Sequence, residues 1–283
     1  MLESSSEAGV AVALLSAVSQ AVVHMLWKSG GDKLAVRALI GAVEAIVVLP
    51  LVFFVAWPTA TVWAWLGASI AIHVIYQFTL IHAYDKLDFS LAYPLARGVA
   101  PIATAVAGIV LIGDTIGPLA LIGIVTVSAG LLIVSLGGRP HREGLVAAAT
   151  AGLLTTAYSL VDAQGVRTAD SAWTFIVWYF VAEGVVMMSL VALIRKRALL
   201  PALLSEGRRG VTGGVVSVAG YSCALLAFRF VSVGVASALR ETSVVFATVF
   251  AKVFLQESVE RRRWLGVCAI VCGAVLIAVG TRA

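Results

Sequence analysis

Apolar residues fall in blocks of about twenty along the whole chain, separated by short polar stretches. A helical block of that length, at about 1.5 Å per residue, crosses the roughly 30 Å hydrocarbon core of a bilayer. The pattern predicts ten spans: 8–27, 34–56, 61–83, 89–112, 117–136, 144–162, 172–194, 211–230, 234–256 and 263–280. Connections are short and carry turn residues, such as Ser29-Gly30-Gly31-Asp32 and Gly137-Gly138-Arg139-Pro140. The longest, near 195–210, holds Arg195, Lys196, Arg197, Arg208 and Arg209.

Residues 83–137 and 226–280 write one motif twice, 143 positions apart. Arg97 maps onto Arg240 and Asp114 onto Glu257. Gly123, Gly130 and Gly137 map onto Gly266, Gly273 and Gly280. Five spans per copy turn the second copy upside down. The expected fold is therefore all-α and polytopic, with ten transmembrane helices in an inverted 5+5 repeat around a central cavity. Residues 1–138 form the first five-helix repeat and 139–283 the second. In such a fold the site lies at the repeat interface.

Polar residues inside the spans recur at i and i+4, so each pair shares a helix face. The pairs are Gln20 with His24, His73 with Gln77, Tyr93 with Arg97, Tyr158 with Asp162, Tyr179 with Glu183, Ser217 with Tyr221, and Ser237 with Glu241. Tyr76 lies beside the His73 pair, Arg240 beside Glu241, and Glu44 one long step from Arg37. Spans 5 and 10 have no ionisable residue in their interiors. A polar cavity walled by spans 1–4 and 6–9 follows, with 5 and 10 outside. The glycine seams of those two outer spans suit close helix approach, within the monomer or in a weak homodimer.

A guanidinium cannot neutralise itself, so Arg97 and Arg240 each need an anion or a set of carbonyls. Two readings stand. One is an internal salt bridge, such as Arg240 with Glu183 or Arg97 with Glu44. The other is a clamp for an anionic substrate. Glu44 and Glu183 sit mid-span in matched helices, and either, or Glu241, could meet an amine or carry a coupling proton. Arg37, Arg229 and Lys252 lie near span ends and are expected to snorkel to the interface. Asp114 and Glu257 close spans 4 and 9 and should fix the following turn. Pro101 removes a hydrogen bond to the carbonyl of Arg97, so span 4 should kink there.

Composition agrees with the block pattern. The chain has 283 residues, 61% hydrophobic and 12% charged, with a mean hydropathy of +1.03. A soluble domain cannot bury that much apolar surface. The net charge of +5 sits in short loops, which argues for topology and against nucleic acid. Loops 1–2, 3–4, 5–6, 7–8 and 9–10 with their flanks hold fifteen Lys and Arg, against three at the other ends (Arg167, Arg229, Arg282). The positive-inside rule then puts both termini outside the cytoplasm. Cys223, Cys268 and Cys272 lie in apolar helices and read as packing residues. No metal cluster, cofactor motif or catalytic constellation is visible. The segment MLESSSEAG has no basic n-region, so no cleaved signal peptide is expected.

The chain resembles the drug/metabolite transporter superfamily, in its ten-span EamA-like branch. The residues that carry the likeness are Ala83-Tyr84, Ser90 to Pro101 (SLAYPLARGVAP), Gly113-Asp114, Gly123 and Gly130. In the second copy they are Ser232 to Glu241 (SVGVASALRE), Gln256-Glu257, Gly266 and Gly273. The resemblance implies a 5+5 inverted repeat, a central cavity, peripheral fifth and tenth helices and a small metabolite or drug as substrate. Many relatives carry a basic loop 2–3, whereas here it is Ala56-Trp57-Pro58-Thr59-Ala60, so the polarity looks flipped.

The function expected is a secondary transporter in a bacterial-type inner membrane. It would move a small polar metabolite, an amino acid-like zwitterion or organic anion, by alternating access, with a coupling proton or a counter-substrate. The candidate substrate-binding residues are Gln20, His24, Glu44, His73, Tyr76, Gln77, Tyr93, Arg97, Tyr158, Asp162, Tyr179, Glu183, Tyr221, Arg240 and Glu241. The rival classes are a lipid or polyprenyl-phosphate flippase, or a subunit of one, and an intramembrane enzyme.

Overall fold

The computed structural model describes residues 2–87, 95–98, 100–135, 142–254 and 260–281. Tyr93, Pro94, Val99, Gly137, Glu257 and Arg282 lie outside the described residues. Among the described residues the regular elements are all helical. They are α1 (Leu2–Ser29), α2 (Lys33–Val48), α3 (Ala60–Lys86), α4 (Ala100–Ala107), α5 (Pro118–Ser135), α6 (Arg142–Thr168), α7 (Ala172–Arg195), α8 (Leu199–Phe230), α9 (Val233–Arg240), α10 (Ser243–Phe254) and α11 (Arg261–Gly280). Nine segments among the described residues are long and apolar enough to cross a membrane. One of them, Ala172–Phe230, holds both α7 and α8.

Local chemistry sets these boundaries. Asp32 caps α2 by accepting from the Ala35 N–H, Thr59 caps α3 through Val62, and Ser171 caps α7 through Trp173. α7 stops at Lys196, whose φ of 49° is left-handed. Span 4 ends in a π turn, Gly108–Ile112, closed by Gly113 at φ 78°. Only glycine takes that conformation without cost.

Span 9 departs from the expected continuous helix. α9 stops at Arg240 and α10 starts at Ser243. Across the break the N–H groups of Glu241 and Thr242 bond three residues back, to Ala238 and Leu239. The Thr242 hydroxyl also takes the Leu239 carbonyl at 2.7 Å, a local side-chain bond that competes with the helix. The expected kink beside Pro101 cannot be traced, because Val99 is outside the described residues.

α5 and α11 pack along each other at the edge of the bundle. A Cβ on Gly123 would lie 2.7 Å from the Gly273 carbonyl oxygen, and one on Gly130 would lie 2.7 Å from that of Gly266. The contact runs antiparallel, since rising numbers on one helix meet falling numbers on the other. The 143-residue offset exchanges the two contacts, Gly123 going to Gly266 and Gly273 to Gly130. Near the centre of the bundle Gly41 meets Gly184, its own equivalent, where a Cβ would lie 3.2 Å from the Gly184 Cα. The pairing of α1 with α8 is likewise matched by that of α6 with α3.

Two other matched pairs differ. α2 zips along α8, where Gly213 lies against Ile40 and Gly214 against Val43. The equivalent pair, α7 and α3, meets only over a short stretch, and Gly67, the equivalent of Gly210, has nothing within 4 Å of a Cβ position.

The zipped end also gathers the charged loops. Glu206 accepts from the N–H groups of Gly31 (2.8 Å) and Asp32 (3.1 Å). Arg195 pairs with Asp32 at 2.8 Å, and Lys33 with Asp85 at 2.6 Å. At the other end Arg167 pairs with Asp114 at 2.7 Å and donates to the Phe228 and Val231 carbonyls. Asp114 thus ties span 4 to spans 6 and 9, since it also accepts from the Val233 N–H at 2.6 Å. That is more than the local turn role expected of it. Cys268 and Cys272 face outward and not into the core.

Gly130→Ala should lower the melting temperature of the purified protein, because overpacking a backbone contact costs about 1–3 kcal/mol. Gly67→Ala should leave it unchanged or slightly raised. Equal behaviour of the two variants would contradict the seam.

Candidate functional site

A cavity of about 680 Å³, its mouth included, lies inside the bundle. Its wall takes residues from spans 1 (Gln20, His24, Trp27), 2 (Arg37, Glu44), 3 (His73, Tyr76, Gln77), 4 (Arg97), 6 (Tyr158), 7 (Tyr179, Phe180), 8 (Ser217, Tyr221) and 9 (Arg240). α5 and α11 contribute nothing to it. The period-four polar stripes read from the sequence converge on this one space. Asp162, Glu183 and Glu241 stand just behind the wall, each bonded to a wall residue. Tyr93 is outside the described residues.

Three arginines reach the cavity, and their partners differ. Arg37 is buried and donates from Nη2 to Glu183 Oε1 at 2.6 Å, with Nη1 3.5 Å from Glu44 Oε2. It does not snorkel. Both glutamates approach within reach of its guanidinium, and in a buried setting each carboxylate is answered by that cation. Gln77 adds a donor to Glu183 at 2.8 Å. Arg97 pairs with Glu241 at 3.1 Å and lies 3.4 Å from His24 Nε2. Neither internal salt bridge suggested by the sequence, Arg240 with Glu183 or Arg97 with Glu44, forms. Glu183 and Glu44 both go to Arg37.

Arg240 is different. It is 4% exposed, yet among the described residues it has no ion-pair or hydrogen-bond partner, and its Nε is buried without one. Its guanidinium lies over the Tyr221 ring, 5.4 Å from the centroid. The repeat explains why. Arg97 is held by Glu241, and the position matching Glu241 in the first copy is 98, which is Gly98. The duplicated motif carries two arginines but only one of the two carboxylates that would pair them.

Other polar atoms in and behind the wall lack partners among the described residues: both amide atoms of Gln20, Oε1 of Gln77, Oε2 of Glu183 and Oε2 of Glu241. Buried polar groups are normally bonded, so a cluster of open ones marks a place for a polar ligand or for water. Aromatic rings supply the rest of the surface. His73 packs on Tyr158 (4.1 Å between centroids), and Tyr179 on Tyr221 (5.3 Å). Among the described residues no group of three metal-ligating side chains occurs.

The profile of the EamA-like transporter family matches residues 142–279. That segment is just under half of the chain. The family lies in the drug/metabolite transporter superfamily, and the match, together with the long apolar helices, supports a multi-pass membrane transporter of that type. A solved structure titled only "Crystal structure of protein" shares the fold, with a TM-score of 0.74 at 18% identity over 96% of both chains. No curated protein matches the chain.

Sequence reasoning missed Arg37 and the partners of the arginines. A signal existed for the first. Arg37 and Glu44 are seven residues apart, hence on one face of a helix. Arg37→Met should destabilise the transporter by about 3–5 kcal/mol, because it strands buried carboxylates. Adding Glu183→Gln should recover part of that loss, read as melting temperature. A stable single variant would contradict the buried pair.

Proposed function

We propose that this EamA-like protein is a secondary transporter for a small polar metabolite bearing an anionic group, an amino acid-like zwitterion or an organic anion. The observation that carries the reading is Arg240, a buried guanidinium at the cavity wall with no anion of its own among the described residues. A permanent charge in a membrane interior costs at least about 2.5 kcal/mol unless something answers it. A substrate carboxylate or phosphonate would do so, bidentately. Glu241 and Glu183 each keep one open oxygen nearby, suited to an amine. The aromatic wall suits an apolar portion.

Transport would run by alternating access in an inverted repeat of ten crossings, residues 1–138 against 139–283. The support is the exchange of glycine contacts under the 143-residue offset and the break of Ala172–Phe230 at Lys196 into two helices. The contrast between the zipped α2–α8 pair and the loosely met α7–α3 pair suits one closed gate and one open one. Closing the second gate would seat Gly67 against α7 as Gly210 is seated against α2. The discontinuity at Arg240–Thr242 is of the kind that places backbone termini at transport sites.

The cation bias between the two ends argues for a bacterial-type inner membrane with both termini outside the cytoplasm. A C-terminal phosphatase reporter should then be active in cells. An inactive phosphatase with an active cytoplasmic reporter would reverse the orientation.

A thermal-shift screen of the purified protein against amino acids, phosphonates, amines and nucleosides should find its stabilisers among the anionic and zwitterionic sets. Arg240→Gln should fold normally, since it strands no carboxylate, and should weaken that binding tenfold or more, the effect of losing about 1.5–3 kcal/mol of charged hydrogen bonding. Arg97→Gln should instead lower stability, because it strands Glu241. Full binding by a folded Arg240→Gln protein would exclude the reading.

A further inference from the structure

The cavity holds a second device, behind Tyr221, that an anion site does not require. Ser69, His73, Asp162 and Tyr221 form one closed set of hydrogen bonds, the first three buried and Tyr221 half-buried at the cavity wall. Ser69 Oγ donates to Asp162 Oδ1 at 2.5 Å. The Tyr221 hydroxyl bonds Asp162 Oδ2. His73 Nε2 lies 2.9 Å from the same hydroxyl, and His73 Nδ1 lies 3.0 Å from the Ser69 carbonyl. His73 Nε2 and Asp162 Oδ2 are 3.9 Å apart, so the tyrosine oxygen bridges them.

Each of these four contacts needs one hydrogen between its two heavy atoms. With Asp162 ionised and His73 neutral, the set carries only three: one each on Ser69, Tyr221 and His73. Either tautomer of a neutral His73 then sets two lone pairs against each other. With Nδ1–H, the bare Nε2 faces a tyrosine oxygen whose proton is spent on Asp162. With Nε2–H, the bare Nδ1 faces the Ser69 carbonyl; the Ser69 hydroxyl, 3.3 Å away, could turn to it only by leaving Asp162 Oδ1 without its hydrogen. One more proton satisfies all four contacts. It can sit on the imidazole, giving His73⁺ and Asp162⁻ bridged by Tyr221. It can equally sit on Asp162, which then donates to Tyr221 while Tyr221 donates to His73.

We propose that Ser69, His73, Asp162 and Tyr221 bind one exchangeable proton, and that this is the coupling ion of the transport reading above, on which this inference rests. The proton enters from water through the cavity and leaves to water, and no bond other than O–H or N–H forms or breaks. The groups facing the set are Tyr158 on α6, Tyr179 on α7, Arg240 at the end of α9 and, farther off, Arg37 on α2. Arg240 is the coupling element. It lies over the ring whose hydroxyl closes the set. Without the extra proton the set is a net anion, and Arg240, over the Tyr221 ring, is a cation with no ion pair of its own among the described residues. An anionic ligand that takes Arg240 removes that counter-charge and favours the protonated set, so anion and proton bind together.

The test needs no identified ligand. Uniformly 15N-histidine-labelled protein in detergent is titrated by NMR, and the carboxyl region is followed by infrared difference spectroscopy against Asp162→Asn. A doubly protonated His73 ring, or a protonated carboxyl band absent from Asp162→Asn, is expected near neutral pH. Should Asp162→Asn fail to fold, the carboxyl band is identified by its isotope shift in 13C-aspartate-labelled protein, and the His73 signals are assigned with His73→Gln. At a pH where half of the native protein has lost the proton, Arg240→Gln should retain it in about nine molecules in ten, a tenfold change in proton affinity. A His73 ring with one N–H and no Asp162 carboxyl band at any pH from 5 to 9 on the usual scale overturns the proposal, whatever Arg240 binds. Unchanged occupancy in Arg240→Gln overturns the coupling. Anion binding by the native protein, tested separately in the thermal-shift screen, can fail while the proton is present, which removes the transport reading and leaves the proton site.

Discussion

A guanidinium keeps its charge wherever the fold puts it, and this bundle puts three of them around one cavity. That constraint organises the interior. Arg37 holds Glu183 and Glu44 together across α2 and α7, and Arg97 holds Glu241 across the two copies of the repeat. Each pair links helices that no local sequence interaction would join. In a medium without water such pairs are costly to break, because a stranded carboxylate has nowhere to turn. The third arginine has no such tie, and on the proposed reading its partner is the substrate.

The duplicated motif accounts for that inequality. On the proposed inverted repeat, matched residues sit at matched depth, so Arg97 and Arg240 arrive together. Yet the copies have diverged. Glu241 in one is Gly98 in the other. Packing is unequal as well, since Gly210 sits against α2 while Gly67 has nothing within 4 Å of a Cβ position. On the proposed repeat the two copies wall the cavity together, and the carboxylate missing at position 98 leaves the free charge. The break at Arg240–Thr242 belongs with these, since span 4 has Gly98-Val99 where span 9 has Glu241-Thr242.

Much of the layout was legible in the sequence because it depends on spacing. Block length located the helices, i and i+4 stripes located the wall, and a seven-residue glycine period located the α5–α11 seam. The partner of each charge was not legible, because it depends on rotations and approach between distant segments. Arg97 and Glu241 are 144 residues apart, and Arg37 and Glu183 are 146 apart. Arg37 was read as an end residue from its distance to the span boundary, although its neighbours decide its role. The Asp162, Tyr221, His73 and Ser69 set was half visible, as stripes on three spans. Nothing in the spacing says that those stripes close into one hydrogen-bonded ring.

The central claim is that Arg240, and not a paired arginine, meets the anionic group of the substrate. The direct measurement is a 31P–15N distance by solid-state NMR, on arginine-labelled protein in bilayers saturated with the phosphonate that stabilises it most. The account predicts one guanidinium in contact with the phosphorus, absent in Arg240→Gln and retained when Arg37 or Arg97 is replaced in a stable background. Contact with Arg37 or Arg97 alone, or contact that survives Arg240→Gln, would contradict it.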